Sequence, residues 1–299
     1  MHCPKCNTIQ SDSNTICEGC GLIFAKYQAR QQDQQYTEDL VAQYHQQHEL
    51  HHIDPKGWSY LGIGLVLGLI LFFLDFWIIR ATIGALITLV HELGHTVLSW
   101  LFGSPAMPAF DFIHGGGMTF SFEQQTEILF VIYAALAWLM FRYLRNGLTL
   151  VILIVFTVTY TILAFSRLGE VVMLFMGHGT ELVIAGVFIY RGISNSAIVH
   201  DIERPLYSVI GFYMIFHDIA FAWKLGHSQS YRIEYESQKG GYHFGDFSRI
   251  AEQHLGVDLT VTAGFFFFCC LLTPVIAFLA WRYQETWSDW IYARIQREP

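Results

Sequence analysis

Two histidines in one hydrophobic segment have the spacing of a metal site. His91 and His95 lie four residues apart in His91-Glu92-Leu93-Gly94-His95, inside the hydrophobic segment 81–103. On an α-helix this spacing places two side chains about 40° apart on one face and about 6 Å apart along the axis, so both imidazoles can reach one ion. Glu92 stands where H-E-x-x-H zinc hydrolases carry their general base. The pattern predicts zinc on His91 and His95, with Glu92 as the catalytic residue.

A third ligand is expected from another segment, because zinc hydrolases usually combine three protein ligands with one open position. The segment 169–190 carries Gly177-His178-Gly179-Thr180-Glu181 at its middle. His178 and Glu181 are three residues apart and share a helix face. One of them is predicted to complete the site, and the other to orient a ligand or to form an interhelical hydrogen bond. His178 is slightly favoured, because its flanking glycines remove bulk at the backbone.

These ionisable groups are expected to have partners, since each costs on the order of 3 kcal/mol at the middle of a bilayer. A cluster without catalytic chemistry is the minority interpretation. His217, Asp218 and Glu170 lie in the same kind of hydrophobic segment. For these three we expect helix packing or orientation of a ligand rather than direct metal binding.

Four cysteines at the N-terminus form a second candidate metal site. Cys3-Pro-Lys-Cys6 and Cys17-Glu-Gly-Cys20 are two C-x-x-C turns separated by ten residues. Four thiolates at this spacing suit a closed tetrahedral zinc site. The segment is too short to fold on an apolar core, so metal binding is expected to supply its folding free energy. It resembles the short zinc ribbons of many bacterial proteins, which serve diverse roles.

The composition identifies the surroundings of these residues. The chain has 299 residues, of which 53% are hydrophobic and 14% are charged, and its mean hydropathy is +0.37. This balance is typical of an integral membrane protein. The formal net charge of -8 gives no electrostatic basis for binding nucleic acid. The other two cysteines, Cys269 and Cys270, are adjacent in a hydrophobic run, which excludes a secreted disulfide scaffold.

Hydrophobic runs near the length of a membrane-spanning helix determine the predicted fold class. We expect an all-α polytopic membrane protein with about seven transmembrane helices and a small N-terminal zinc ribbon. The ribbon covers residues 1–26, a polar and partly helical linker covers 27–56, and a transmembrane metalloprotease-like domain covers 57–299. The predicted spans are 58–79, 81–103, 127–143, 147–165, 169–190, 205–225 and 260–281.

The location of the chain follows from several weaker signals. No signal peptide is predicted, because Met1 leads directly into polar, cysteine-bearing sequence. The distribution of Lys and Arg between the loops does not decide the orientation. Free thiolates keep their ligand state best in a reducing compartment, which favours a cytoplasmic N-terminus. We expect a bacterial inner-membrane protein, with a cytoplasmic protein as the partner of the ribbon.

The segment Phe110–Thr119, which includes His114, is glycine-rich and is predicted to be extended rather than helical. The H-E-x-x-H pattern in a hydrophobic helix, followed by this segment, resembles the site-2 protease class of intramembrane zinc metalloproteases. The resemblance is to a divergent branch and covers mainly residues 81–120, or 81–190 if the fifth predicted span completes the site. It implies a helical metalloprotease core, His91 and His95 as zinc ligands, and Glu92 as catalytic base. That class usually takes its third ligand from an Asp-Gly motif on a later helix. No such motif occurs in the predicted spans, where Gly-His-Gly-Thr-Glu takes its place.

The sequence therefore predicts an intramembrane zinc-dependent endopeptidase that acts on membrane-associated proteins or peptides and carries one catalytic and one structural zinc ion. The alternative is a non-catalytic membrane scaffold, metal sensor or ion transporter, because chains of histidines and carboxylates also form ion pathways. The two differ in the role of Glu92. A hydrolase needs this carboxylate, whereas an ion carrier should tolerate its loss better than the loss of either histidine.

Overall fold

A computed structural model of the chain describes residues 1–48, 55–74, 76–110, 116–237 and 245–295. It contains two compact units, Met1–His52 and Ile53–Pro299. The first unit holds the cysteine-bearing turns and a 25-residue helix, α1 (Phe24–His48). This helix begins inside the predicted ribbon and continues through most of the predicted linker.

The second unit is a helical bundle with one small hairpin. Its long helices are α2 (Lys56–Leu74), α3 (Trp77–Leu101), α4 (Thr126–Arg142), α5 (Gly147–Ala164), α6 (Arg167–Ser194), α7 (Glu203–His227) and α10 (Leu259–Arg282). Its short elements are β1 (Ala106–Phe110), β2 (Gly117–Ser121), α8 (Gln229–Ser237), α9 (Asp246–Ser248), a π-helix (Arg249–Leu255) and α11 (Gln284–Ile295).

Six helices within the described part of the chain are long and apolar enough to cross a membrane: α2, α3, α5, α6, α7 and α10. This confirms the prediction of a mainly helical, membrane-spanning fold. The remaining predicted span, 127–143, corresponds to α4, which has 17 residues. The boundary between the first two helices falls between Leu74 and Trp77 rather than at Arg80, which lies inside α3. The long side chain of an arginine can extend to a polar surface, so it need not end a helix.

Helices α6 and α7 form the centre of the bundle. Helix α6 packs against α2, α3, α5, α7 and α10. The side chains of Ile189, Met214 and Phe266 are fully buried at these interfaces. In contrast, most hydrophobic side chains of α5 are exposed, as expected for a helix that faces lipid.

Small residues allow the central helices to approach closely. A Cβ atom at Gly64 of α2 would lie 2.9 Å from the carbonyl carbon of Ser208 in α7. A Cβ atom at Gly211 of α7 would lie 2.8 Å from the carbonyl oxygen of Ala185 in α6. Association of membrane helices depends on this kind of packing, because lipid removes the hydrophobic driving force between them.

An antiparallel hairpin follows α3 and contains the segment that the sequence predicts to be extended. Strands β1 and β2 pair from Ala106↔Ser121 to Phe110↔Gly117. The indole Nε1 of Trp100 donates a hydrogen bond to the carbonyl oxygen of Ala106 at 2.9 Å, which attaches the hairpin to the end of α3. Residues 111–115 of the predicted extended segment, including His114, lie outside the described residues. The hairpin is thereby placed beside the helix that carries the H-E-x-x-H pattern.

Candidate metal centres

The four N-terminal cysteines converge as their spacing predicts. Their sulfur atoms all lie within 4.8 Å of one another, and Cys3 and Cys17 are buried. The Sγ atoms of Cys3 and Cys20 are 3.7 Å apart, and those of Cys6 and Cys17 are 3.5 Å apart. Four ligands at the usual Zn–S distance of about 2.3 Å would have sulfur–sulfur separations of about 3.8 Å. The cluster therefore has the dimensions of a tetrahedral zinc site with four cysteine ligands.

The two cysteine pairs lie in two separate tight turns of the same type. In the first turn the N–H of Cys3 donates to the carbonyl of Thr8 and the N–H of Asn7 donates to the carbonyl of Cys3. The second turn has the same pattern, shifted by 14 residues, at Cys17 and Gly21. Asn7 and Gly21 occupy equivalent left-handed positions, with φ of 60° and 69°. Asparagine and glycine tolerate this conformation best, so the residue after each C-x-x-C pair helps to form the turn.

Thr8 also favours the ligand form of one cysteine. Hydrogen bonds from the hydroxyl and the backbone N–H of Thr8 lower the pKa of Cys6 to about 6. A thiolate is the form that binds metal, so this contact favours the metal-binding form of Cys6 at neutral pH.

Helix α3 directs both histidines of the H-E-x-x-H pattern to one point inside the bundle. The Nε2 atoms of His91 and His95 are 3.1 Å apart. Neither residue is more than 15% exposed. The one-turn separation predicted from the sequence therefore brings one nitrogen of each ring to a shared position.

Asp246 supplies a third ligand atom at the same point. Its Oδ2 atom lies 3.3 Å from the Nε2 atom of His91 and 3.3 Å from that of His95. Ligands in a tetrahedral zinc site with bonds of about 2.0–2.1 Å are separated by about 3.3–3.4 Å. The three atoms thus have the spacing of three corners of a zinc tetrahedron, which leaves a fourth corner for water or substrate.

Both rings are oriented through their other nitrogen. The Nδ1 atom of His91 donates to Oε1 of Glu181 at 2.6 Å, and the Nδ1 atom of His95 donates to the carbonyl oxygen of Met173 at 2.7 Å. A carboxylate and a carbonyl oxygen only accept hydrogen bonds, so each Nδ1 carries the proton and each Nε2 keeps its lone pair. This is the arrangement in which protein zinc sites fix their imidazole ligands.

The two residues predicted as third-ligand candidates lie beside this point. His91, His178 and Glu181 form another set whose ligand atoms lie within 4.8 Å of one another. Oε2 of Glu181 is 3.2 Å from Nδ1 of His178. The 2.6 Å contact between Glu181 and His91 is a hydrogen-bond distance and is shorter than the edge of a zinc tetrahedron. The assignment of His178 or Glu181 as a ligand stays a prediction, and the geometry favours a supporting role for both.

Aromatic rings enclose His178. Its imidazole stacks on Phe221 at 4.7 Å and on Phe247 at 4.9 Å between ring centroids, with interplanar angles of 22° and 9°. Phe247 follows Asp246 directly in the chain. The stack therefore connects the middle of α6 to the segment that carries Asp246.

Glu92 is buried next to the ligands and held by the hairpin. It is 5% exposed, and the hydroxyl of Thr119 donates to its Oε2 atom at 2.6 Å. Gly117 of β2 packs directly on this side chain, because a Cβ atom there would lie 2.7 Å from Oε1 of Glu92. The hairpin thus fixes the carboxylate that the sequence predicts to be the general base.

A cavity of about 690 Å³ opens onto this group of residues. Glu92, His95 and Asp246 line it together with the β2 residues Met118–Ser121. Ser99, Glu170, Met173, Leu174, Arg249 and Gln253 complete its wall. The candidate base therefore lines the same cavity as two of the candidate metal ligands, His95 and Asp246.

Asp246 is the residue of this site that sequence reasoning misses. It lies in the polar loop between two predicted spans, whereas the search for a third ligand covered the spans themselves. The loop is anchored where Gly245 packs on the ring of Tyr235 and the hydroxyl of Tyr235 accepts the N–H of Phe247 at 3.3 Å. The available signal was weak, namely an acidic residue after a glycine in an aromatic-rich loop.

The remaining candidates, His217, Asp218 and Glu170, lie outside the clusters of candidate ligand atoms. Asp218 of α7 is 1% exposed, and its Oδ1 atom is 3.6 Å from Nδ1 of His217. Glu170, at the start of α6, lines the cavity and is 3.6 Å from Nε2 of His254. The structure places none of the three in a set of metal-binding groups among the residues it describes.

Comparison of the chain with protein-family models, with curated proteins and with solved structures finds no match.

Replacement of Cys3 and Cys17 by serine is expected to remove one zinc equivalent per chain and to leave a second one bound, because the cluster loses its two buried thiolates. Elemental analysis of the purified protein measures this. Cys269→Ser is the matched control and should keep both equivalents. Complete loss of zinc from the double variant would contradict two separate sites.

A second prediction concerns the contact between α3 and α6. A Cβ atom at Gly177 would lie 2.6 Å from Nε2 of His91, so Gly177→Ala should displace the ligand atoms and weaken zinc binding at the intramembrane site. Competition with a fluorescent chelator, in the Cys3→Ser/Cys17→Ser background, measures the affinity. Gly84→Ala is the control on α3, since nothing lies within 4 Å of its added Cβ atom. Equal affinities in both variants would show that zinc does not bind at this contact.

The third ligand can be identified by comparing Asp246→Ala, His178→Ala and Glu181→Ala in the same background. We expect Asp246→Ala to weaken zinc binding by far more than the roughly 10–100-fold typical of residues that only orient a ligand. Glu181→Ala should fall within that range. Glu252→Ala, at an exposed position of the π-helix that follows α9, should have no effect. If His178→Ala has the largest effect and Asp246→Ala retains the parental affinity, the ligand set is His91, His178 and Glu181 instead.

Proposed function

We propose that this chain is an intramembrane zinc-dependent endopeptidase that cleaves membrane-associated protein substrates. One observation carries the proposal: the Nε2 atoms of His91 and His95 and the Oδ2 atom of Asp246 have the spacing of a zinc site, and the buried carboxylate of Glu92 lines the same cavity. Zinc bound there would polarise a scissile carbonyl and make a water molecule more acidic.

The roles of the protein groups follow from their contacts. Glu92 accepts a proton from the attacking water and returns it to the leaving amine, which is general acid–base catalysis by one carboxylate. Thr119 holds that carboxylate in place through its hydrogen bond. Glu181 and the carbonyl of Met173 keep the two imidazoles in the tautomer that leaves Nε2 free. The proposed site thus has a base, a ligand set and an orienting partner for each histidine.

The cavity suits an extended peptide. Residues Met118–Ser121 of β2 form one wall, and the sheet described here contains only the strands β1 and β2. The unpaired edge of a strand can hydrogen-bond to the backbone of an added segment. A substrate helix would need to unwind locally to expose its peptide bonds to Glu92, and pairing with β2 would stabilise that unwound form.

The membrane arrangement completes the proposal. Helix α4 is counted as a seventh span, because 17 residues reach the lower limit of the lengths that cross a bilayer. The N-terminal cysteine cluster is placed in the cytoplasm of a bacterial cell, where its thiolates stay reduced and available to zinc. A cytoplasmic protein is the proposed partner of this cluster.

A non-catalytic ion carrier or sensor is the competing function. It would need the metal ligands, but it gives no role to Glu92, which belongs to neither histidine-containing metal-binding set among the described residues. The close support of this carboxylate by Thr119 and Gly117 favours a hydrolase.

Glu92→Gln is expected to keep zinc and to abolish cleavage, because the amide preserves the shape of the side chain but does not accept the proton. A panel of fluorogenic single-span peptides in detergent micelles measures cleavage, and elemental analysis measures zinc. Glu127→Gln, at an exposed position of α4, is the matched control. Wild-type cleavage rates in Glu92→Gln would refute the assignment of the base, and a zinc-loaded wild type that cleaves no peptide of the panel would support the carrier.

A further inference from the structure

The segment that carries Asp246 presents more than a metal ligand to the cavity. Asp246, Arg249 and Gln253 all line it and occur at positions i, i+3 and i+7 of one helical segment. The segment is continuous, since the N–H of Arg249 donates to the carbonyl of Gly245 at 3.0 Å. Residues three and four positions apart share a helix face, so the three side chains form a polar stripe along one wall.

Arg249 lines this cavity without an ion-pair partner among the described residues. The lining carboxylates all have partners: Asp246 meets the two imidazoles, Glu92 accepts from Thr119, and Glu170 is 3.6 Å from His254. Among the residues that the structure describes, no carboxylate lies within 4 Å of the Arg249 guanidinium, whose side chain is exposed to the cavity. A guanidinium in a partly apolar cavity is well suited to a ligand that brings its own negative charge.

We propose that Arg249 is a specificity-determining residue that binds an Asp or Glu side chain of the substrate close to the cleaved bond. This inference rests on the proposed protease function and names the substrate feature that the cavity selects. Asp246 and Arg249 are about one helical turn apart, or about 5 Å along the axis. The selected acidic residue is therefore within a few residues of the peptide bond that faces Glu92.

The chemistry favours an acidic group over the alternatives. Arginine forms paired hydrogen bonds to a carboxylate with its planar fork, whereas an amide of the same shape accepts only one of them and brings no charge. A basic substrate residue would be repelled by Arg249. An acidic residue is also costly in a transmembrane segment. A substrate with such a residue therefore gains binding free energy when Arg249 pairs with it, and a fully apolar substrate has no such gain.

Three fluorogenic single-span peptides that differ only in one residue near the scissile bond, Glu, Gln or Lys, test the inference. With the wild type, kcat/KM for the Glu peptide should exceed that for the Gln peptide by about tenfold or more, as expected for a charge-assisted hydrogen bond. Arg249→Ala should reduce this ratio to near one, and Arg249→Glu should reverse the preference in favour of the Lys peptide. Arg145→Ala, at an exposed position in the turn between α4 and α5, should keep the wild-type ratio. A wild-type ratio near one, or a ratio that Arg249→Ala leaves unchanged, would overturn the proposal.

A binding measurement separates this inference from the proposed function. The affinities of the same peptides for the Glu92→Gln variant, with and without Arg249→Ala, are measured by fluorescence anisotropy. Tighter binding of the Glu peptide that depends on Arg249 supports the inference even if the wild type cleaves nothing. Equal affinities for the Glu and Gln peptides refute it, whether or not the wild type proves to be a protease.

Discussion

The cost of placing ionisable groups in an apolar bundle is the constraint on which the rest of this structure depends. His91, Glu92 and His95 lie on a helix long and apolar enough to cross a membrane, where an unpartnered charge is expensive. Each of them has partners from another element: Glu181 and Met173 of α6 for the histidines, and Thr119 of the hairpin for Glu92. The elements around α3 are therefore arranged by the polar groups that they must satisfy.

Close contact between α3 and α6 makes these partnerships possible. Gly94 packs on the backbone carbonyl of Met176, and Gly177 packs on both imidazoles. A side chain on Gly177 would enter the space of the two imidazoles, and a side chain on Gly94 would collide with Met176 and Thr180 of α6. The same approach brings Glu181 within 2.6 Å of His91, so helix packing and ligand orientation are two results of one contact.

The candidate site is assembled from parts with different structural character. Two candidate ligands and the candidate base belong to a regular helix, whereas Asp246 begins the short helix α9, which continues into a π-helix. That segment is held by aromatic packing, with Phe247 stacked on His178 and Gly245 on Tyr235. Short π-helical segments are common at functional sites. Here the segment delivers both a candidate metal ligand and Arg249 to one cavity.

The sequence by itself determined the features that depend on local spacing. An α-helix has 3.6 residues per turn, so His91 and His95, four residues apart, were expected to share a face. The spacing of the two C-x-x-C turns was expected to bring their four cysteines into one cluster. Hydrophobic length fixed the positions of the long helices to within a few residues. Only the tertiary structure decided which distant residues contact these groups. Asp246, which lies outside the predicted spans, approaches the Nε2 atoms of His91 and His95. Thr119 of the hairpin donates a hydrogen bond to Glu92. Such contacts join residues that are 27 to 155 positions apart, and no periodicity in the chain encodes them, because they arise from packing between helices, the hairpin and a loop.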